Sequence, residues 1–328
     1  MSTVTKADPA RGAGSAHPLV HRRPLGDRGF QILALAAGLL VLVILVLIAV
    51  STAQQSTSWF TSVGAKGILS VRWDPQSNHF GMMAFLYGTV VSSVIGLIIA
   101  FPVSIGMALL LNEVVPGKWA RPIIYVIDLL AVVPSVVWGL WGILVLVPWL
   151  QGPYTSIAKA VSGIPVLDPL FSGQNVGGAS FFTAGLILAI MITPIITSLS
   201  REVMATVPVI DREGAYALGA TRWEMITGAV WPHSQGGVVG AVLVGLGRAM
   251  GETIAVALVM GSSAEISAHL FYPGYSIAGG IANQFGEAAG TQRSALIGFG
   301  LILFAITIVV NLVARGAVAR SARRAKGA

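Results

Sequence analysis

Arg248 and Glu252 stand four residues apart in the middle of LVGLGRAMGETIAVALVMG, residues 243–261, whose flanks are apolar enough for lipid. A charge at the centre of a membrane helix costs at least ~2.5–3.5 kcal/mol on insertion scales, so it must face protein or water. The guanidinium is a planar fork of donors that matches the oxygens of an oxyanion two at a time. A carboxylate one helical turn on would hold the fork in place and weaken its grip on an anion, and a conduit needs such weak binding for release. The alternative is an ion pair that only pins two helices. Arg preceding Glu is the less favourable order at this spacing, however, and helix stabilisation alone explains the pair poorly. On a continuous helix Ala241, Gly245, Arg248, Glu252 and Ala255 share one stripe, beside Gly236-x3-Gly240 and Gly247-x3-Gly251, spacings that let helices approach closely.

Other chemistries find little support. There is no cysteine, which excludes disulfides and thiolate sites. The histidines, at 17, 21, 79, 233 and 269, are scattered over tails and loops without metal-ligand spacing, and no metal site or catalytic residue is predicted. No phosphate-binding G-x-x-x-x-G-K-[ST] loop occurs: the one Gly-Lys pair, Gly117-Lys118, has Asn112 and Trp119 at the flanking positions of that motif. The chain cannot hydrolyse ATP and carries no cofactor of its own.

The elements that must position the pair follow from composition. Of 328 residues 55% are hydrophobic and 10% charged, against about 25% charged in a soluble domain. About 20 apolar residues cross a bilayer as a helix, and six such runs are present: Ile32 to Val50, Phe85 to Leu111, Pro122 to Leu150, Phe181 to Leu199, Val238 to Met260 and Ser294 to Ala314. The expected fold is all-α, a polytopic membrane protein with six transmembrane helices. On that frame Arg248 lies roughly 15 Å into the bilayer. The net charge of +7 is a topology signal and not a nucleic-acid footprint. Of the twenty Lys and Arg residues, fifteen fall in the two tails and in the second-to-third and fourth-to-fifth loops. Only Lys66, Arg72, Lys159 and Arg293 fall in the opposite loops. Both termini are therefore predicted to be cytoplasmic. Residues 1–30 read as a disordered basic tail, 31–79 as a retained first helix and external loop, 80–315 as a core of five helices, and 316–328 as a second basic tail. Trp59, Phe60, Trp73 and Phe80 read as interface anchors, with an external docking surface as the alternative. Pro134-Ser135 interrupts the third span, where Ser135 could line a path or merely mark a packing kink. Thr193-Pro194 kinks the fourth. Asp128 could pair with a loop arginine or with Arg248.

The fourth-to-fifth loop, residues 201–233, is long for a helix-to-helix connection. Pro208 starts a helix that Gly219 stops, and a second short helix runs from Thr221 to Ala229 and ends near Pro232. Glu213-Gly214-Ala215, then Gly219, then Pro232 resembles the EAA loop of ABC importer permeases. Gly214 replaces the usual second Ala, and Ala229 and Trp231 replace Ile and Leu. The resemblance implies a type I ABC importer permease fold in which this elbow docks on an ATP-binding subunit and couples to it. A plain amphipathic surface helix is the alternative.

GLGRAMGETIAVALVMG, together with FGMMAFLYGTVVSS, AVVPSVVWGLWG, IMITPIITSLSREV and IANQFGEA, resembles phosphate importer permeases, closer to the PstC type than to its PstA-type partner, over about residues 59–315. That resemblance implies a multi-pass protein of a prokaryotic plasma membrane that passes inorganic phosphate by alternating access. It implies a second, homologous permease subunit, two ATP-binding subunits that hold ATP and Mg at the cytoplasmic loop, and an extracytoplasmic phosphate-binding protein. Arg248 and Glu252 match the family's charged fifth-span positions. A permease for another oxyanion, sulfate or molybdate, is the first alternative. A gradient-driven anion transporter is the second, and it leaves the elbow without a task.

Overall fold

Backbone polar groups in lipid are satisfied within a helix or not at all, and helices account for nearly all of the structure. The computed structural model describes residues 25–173 and 176–326. It divides into two units, Met1–Val50 and Ser51–Ala328. The described part of the first unit is the opening of helix α1 (Leu25–Gln55), which holds the first apolar run. The predicted tail up to residue 24 lies outside the described residues.

The second unit begins with the end of α1, followed by α2 (Thr57–Ile68) and a two-residue hairpin, β1 (Trp73–Asp74) paired antiparallel with β2 (His79–Phe80). Next come α3 (Met83–Leu109), a π-turn over Leu110–Val114, α4 (Gly117–Val132) and α5 (Ser135–Trp141). A second π-turn over Gly142–Leu146 leads into α6 (Val147–Val161), and then α7 (Asp168–Phe171) and α8 (Phe181–Ala205). The chain continues through α9 (Val209–Ala217), α10 (Arg222–Met225), a π-turn over Ile226–Val230, α11 (Trp231–Gly251), α12 (Ile254–Val259), α13 (Ile277–Gln284) and α14 (Gly290–Lys326). The basic C-terminal segment from residue 316 continues α14 as helix through Lys326.

α3 and α8 form the central pair, and glycines set their approach. A Cβ on Gly96 would lie 3.0 Å from Leu188 Cβ, and one on Gly185 would lie 2.4 Å from Ile95 Cγ2. α8 stays helical through Pro194. Pro194 donates no hydrogen bond to the preceding turn, and polar side chains gather beside it: Thr193 Oγ1 donates to Ala189 O at 2.7 Å, and Ser104 Oγ from α3 donates to Thr193 O at 3.1 Å.

Among the described residues five helical stretches are long and apolar enough to cross a membrane: 29–55, 83–114, 135–161, 181–205 and 290–313. Two expected spans are therefore corrected. The third does not run unbroken from Pro122 to Leu150. Val133 and Pro134 have ψ of 125° and 138°, so α4 stops and a new helix starts at Ser135 and runs to Val161. The residue before a proline is disfavoured in the helical region, which makes Pro134 a break and not a kink. The fifth span is also two helices. α11 starts at Trp231, earlier than expected, and carries Pro232 in its first turn, where the missing N–H is tolerated. It ends at Gly251, because Glu252 is extended with ψ 128°.

The aromatic residues of the first external loop are neither belt anchors nor a free surface. Trp59 and Phe80 are 1% and 2% exposed and pack with Phe85 and Phe299 in one core cluster. Trp59 Nε1 donates to Phe80 O at 3.1 Å, and Trp73 Nε1 donates to Gln284 Oε1 at 3.0 Å. Buried aromatic N–H groups need such partners; Gln284 ties the loop to α13, and Trp59 N, donating to Ser294 Oγ at 3.2 Å, ties it to α14.

Candidate functional site

Arg248 sits in the last turn of α11, where a cation complements the helix dipole. Glu252 follows the helix end. Its backbone N–H donates to Ala249 O at 3.3 Å, and its Oε1 accepts from Ala255 N at 3.3 Å. The carboxylate thus takes one of the amide hydrogens left without a partner at the start of α12. The bond accommodates a helix break here without a proline.

The expected stripe is buried in part and exposed in part. Ala241, Gly245 and Ala249 are buried against α8, where a Cβ on Gly245 would lie 2.7 Å from Ile196 Cδ1. Arg248 is exposed at the edge of that face, one turn on from Val244, and the uncovered positions of Gly240, Gly247 and Gly251 lie further round the helix. A Cβ on any of these three glycines would meet nothing within 4 Å. Their spacing therefore opens a smooth face on α11 instead of closing a helix contact within the chain. Among the described residues no ion pair joins Arg248 to Glu252. The expected neutralising partner caps α12, and among the described residues the guanidinium has no carboxylate partner. Asp128 does not supply one either, since its Oδ1 accepts from Ser198 Oγ at 3.1 Å.

Ser135 is brought to the same level as Glu252. A Cβ on Gly139 would lie 2.8 Å from Ala255 Cα, and one on Gly142 would lie 2.6 Å from Val259 Cγ1. Both numbers rise together, so α5 and α12 run parallel. One turn back from Gly139 is Ser135, and about one turn back from Ala255 is Glu252. The two helix breaks, at Val133–Pro134 and at Glu252–Thr253, therefore lie side by side. The sequence marked the first through its proline. The second carries no composition signal, and only the carboxylate three residues before Ala255 could have suggested it. A separate cleft of about 320 Å³ between α3, α4 and α8, lined by Ile99, Val103, Met107, Ile127 and Leu130, is almost wholly apolar and offers nothing to an oxyanion.

The elbow forms as its residues suggest. Pro208 precedes α9, and Gly219, at φ 84°, ends it. Gly219 N donates to Tyr216 O at 2.9 Å and Ala220 N donates to Ala215 O at 3.1 Å, the paired bonds of a left-handed helix terminus. Thr221 and Glu224 then start α10 with a reciprocal capping box. Thr221 donates to the Glu224 carboxylate through its backbone N–H first and then through its hydroxyl, and both hold that acid below its ordinary range. The second helix does not end near Pro232: it passes through the π-turn at Ile226–Val230 into α11. Ala215 faces inward onto Met204, Val207, Met225 and Val230, whereas Glu213 and Gly214 are exposed. Val209, Ile210, Leu218 and Trp223 are also exposed, Leu218 to 91%.

The polytopic helical fold is that of type I ABC importer permeases. The chain superposes with a TM-score of 0.59, at 15% identity and over 90% of its length, on 96% of a chain in the crystal structure of a bacterial ABC transporter involved in the import of the acidic polysaccharide alginate. The chain belongs to the inner membrane components of binding-protein-dependent transport systems, whose family model matches residues 94–327. It is 41% identical to the phosphate transport system permease protein PstC of Mesorhizobium japonicum over 96% of each chain. It is 39% identical to the phosphate transport system permease protein PstC 2 of Mycobacterium tuberculosis over 88% of this chain and 91% of that one.

Proposed function

We propose that this chain is the permease subunit of an ATP-driven importer of inorganic phosphate, in which Arg248 lines the path and alternating access is driven from α9. One observation carries the reading: a guanidinium without a carboxylate partner, on an uncovered small-residue face, level with two helix breaks. Broken helices beside a membrane-buried charge are how transporters bring backbone and side-chain donors to a substrate. The kinship to relatives named as phosphate permeases supports phosphate as the anion.

The roles then divide. Arg248 offers its fork to phosphate oxygens. Glu252 fixes the start of α12 and limits how tightly an anion is held, as a nearby negative charge and not as a paired one. Ser135 contributes from the facing break. Glu213, Gly214, Ala215, Gly219 and Pro232 build the elbow. Ala215 seats it, Gly219 turns it, and the exposed apolar side chains meet an ATP-binding subunit that supplies ATP and Mg. The termini and the elbow lie on the cytoplasmic side of a prokaryotic plasma membrane. A homologous permease covers the Arg248 face, and a phosphate-binding protein docks on the opposite side.

Reconstitution of the complete transporter in proteoliposomes tests this. Arg248→Gln is expected to abolish ATP-dependent phosphate uptake while the subunits still co-purify. Normal uptake by that variant overturns the assigned path. Equal uptake of sulfate or molybdate by the unaltered transporter overturns the substrate, and uptake that persists with a hydrolysis-dead ATPase overturns the energy source.

A further inference from the structure

The buried charge at the other end of the second span is Glu113. Its side chain is 5% exposed, inside the π-turn that ends α3. Arg212, from α9, brings Nη2 to 3.2 Å from Glu113 Oε1, and the same nitrogen donates to Met204 O, at the end of α8, at 2.8 Å. One guanidinium therefore bridges three elements. A second tie lies beside it, where Asn112 Nδ2 donates to Arg201 O at 2.8 Å.

Stability is a weak reason for this arrangement. Taking both charges out of water is costly, and a well-packed apolar pair would serve as well or better. The contact is also not a bidentate fork: Glu113 Oε1 and Arg212 Nε make no hydrogen bond within the chain among the described residues. What an apolar pair would not provide is a charge attraction that persists while packed surfaces slide. The rest of α9 is seated through Ala215 alone among its apolar side chains, a contact that can slide. π-turns such as Leu110–Val114 recur at functional sites as places where a helix changes register.

We propose that Arg212 and Glu113 are positioning residues that transmit the displacement of α9 to α3, so that the second span moves with the elbow. This rests on the reading of α9 as the segment that meets the ATPase. If that reading holds, loss of the link uncouples hydrolysis from transport and leaves hydrolysis itself in place.

The test uses the complete transporter in proteoliposomes with its binding protein, inorganic phosphate and ATP. Subunit co-purification, ATP hydrolysis and phosphate moved per ATP are measured for Glu113→Gln, Arg212→Gln and the double variant. Each single variant is expected to assemble, to hydrolyse ATP and to lower phosphate per ATP by roughly 5- to 150-fold, the span of an ordinary coupling between sites. The double variant is expected to be no worse than either single one. An unchanged ratio in both single variants overturns the proposal, and so does a double loss equal to the product of the single losses. If single variants fail to assemble because one charge is left buried alone, the double variant supplies the ratio, and an unchanged value there overturns the proposal. Failure of all three to assemble assigns the pair to folding and overturns it as well. Failure of the underlying reading is distinct: the unaltered transporter would then move phosphate without ATP.

Discussion

Substitution at Gly219 separates the backbone demand of the elbow from its surface. With φ at 84° and no atom within 4 Å of a built Cβ, Gly219→Ala meets no neighbour in this chain and pays only for the left-handed backbone, about 1–2 kcal/mol. That is roughly a 5- to 30-fold shift between the turned elbow and opened forms. The bonds at risk are Gly219 N to Tyr216 O and Ala220 N to Ala215 O, and the second tethers the residue that seats α9 on the core. Hydrogen exchange of residues 209–225 in the solubilised protein reads the loss directly as a 5- to 30-fold drop in protection. Gly219→Asn is expected to lose less, because Asn tolerates this conformation. Gly214→Ala, also without neighbours but in mid-helix, is expected to gain about 0.5–1 kcal/mol of local stability. If Gly219→Ala exchanges like the unaltered chain, or if Asn is worse than Ala, the turn is not what holds the elbow and the reasoning fails.

Two further outcomes follow from the site. Gly139→Ala is expected to destabilise by about 1–3 kcal/mol through overpacking, because its Cβ would stand 2.8 Å from Ala255 Cα. It should lower phosphate flux by parting the two breaks, and Gly106→Ala, in mid-helix with open space around it, is the control that should not lower the thermal midpoint. Glu224 is held below its ordinary 4.5 by Thr221, so its contribution to α10 is present above that value and is lost as pH falls through the depressed one. Exchange at α10 is expected to rise relative to α8 on acidification, and Glu224→Gln should remove the pH dependence.

Helices that needed only an apolar run were readable from composition: α3, α8 and α14 lie where hydropathy put them. The elbow was readable because Pro208 and Gly219 act locally, on their own backbone. The third and fifth spans were not, and for different reasons. Pro134 was visible, but whether a proline kinks or breaks depends on the preceding residue, and Val133 is extended. At Glu252 nothing local compels a break, and the stripe drawn through Arg248 did not show that the arginine stands at the exposed edge of the buried face. The aromatic loop misled for a third reason. Trp59 and Phe80 are as suited to an interface as to a core, and only Phe299, more than two hundred residues away, shows which.

The placement of Arg248 also bears on what the chain requires around it. Its cost in hydrocarbon, at least ~2.5–3.5 kcal/mol, is not offset by a carboxylate among the described residues. Gly240, Gly247 and Gly251 clear the ground around it and do not fill it. A helix meant to face lipid would carry larger apolar residues there. A helix meant to pack within the chain would resemble the buried face of α11, where Gly237 and Gly245 meet Val203 and Ile196. The Arg248 face fits neither pattern. Small residues around one uncompensated cation suit a surface that another protein approaches closely while leaving a polar gap, which is what an anion path between two permease subunits demands.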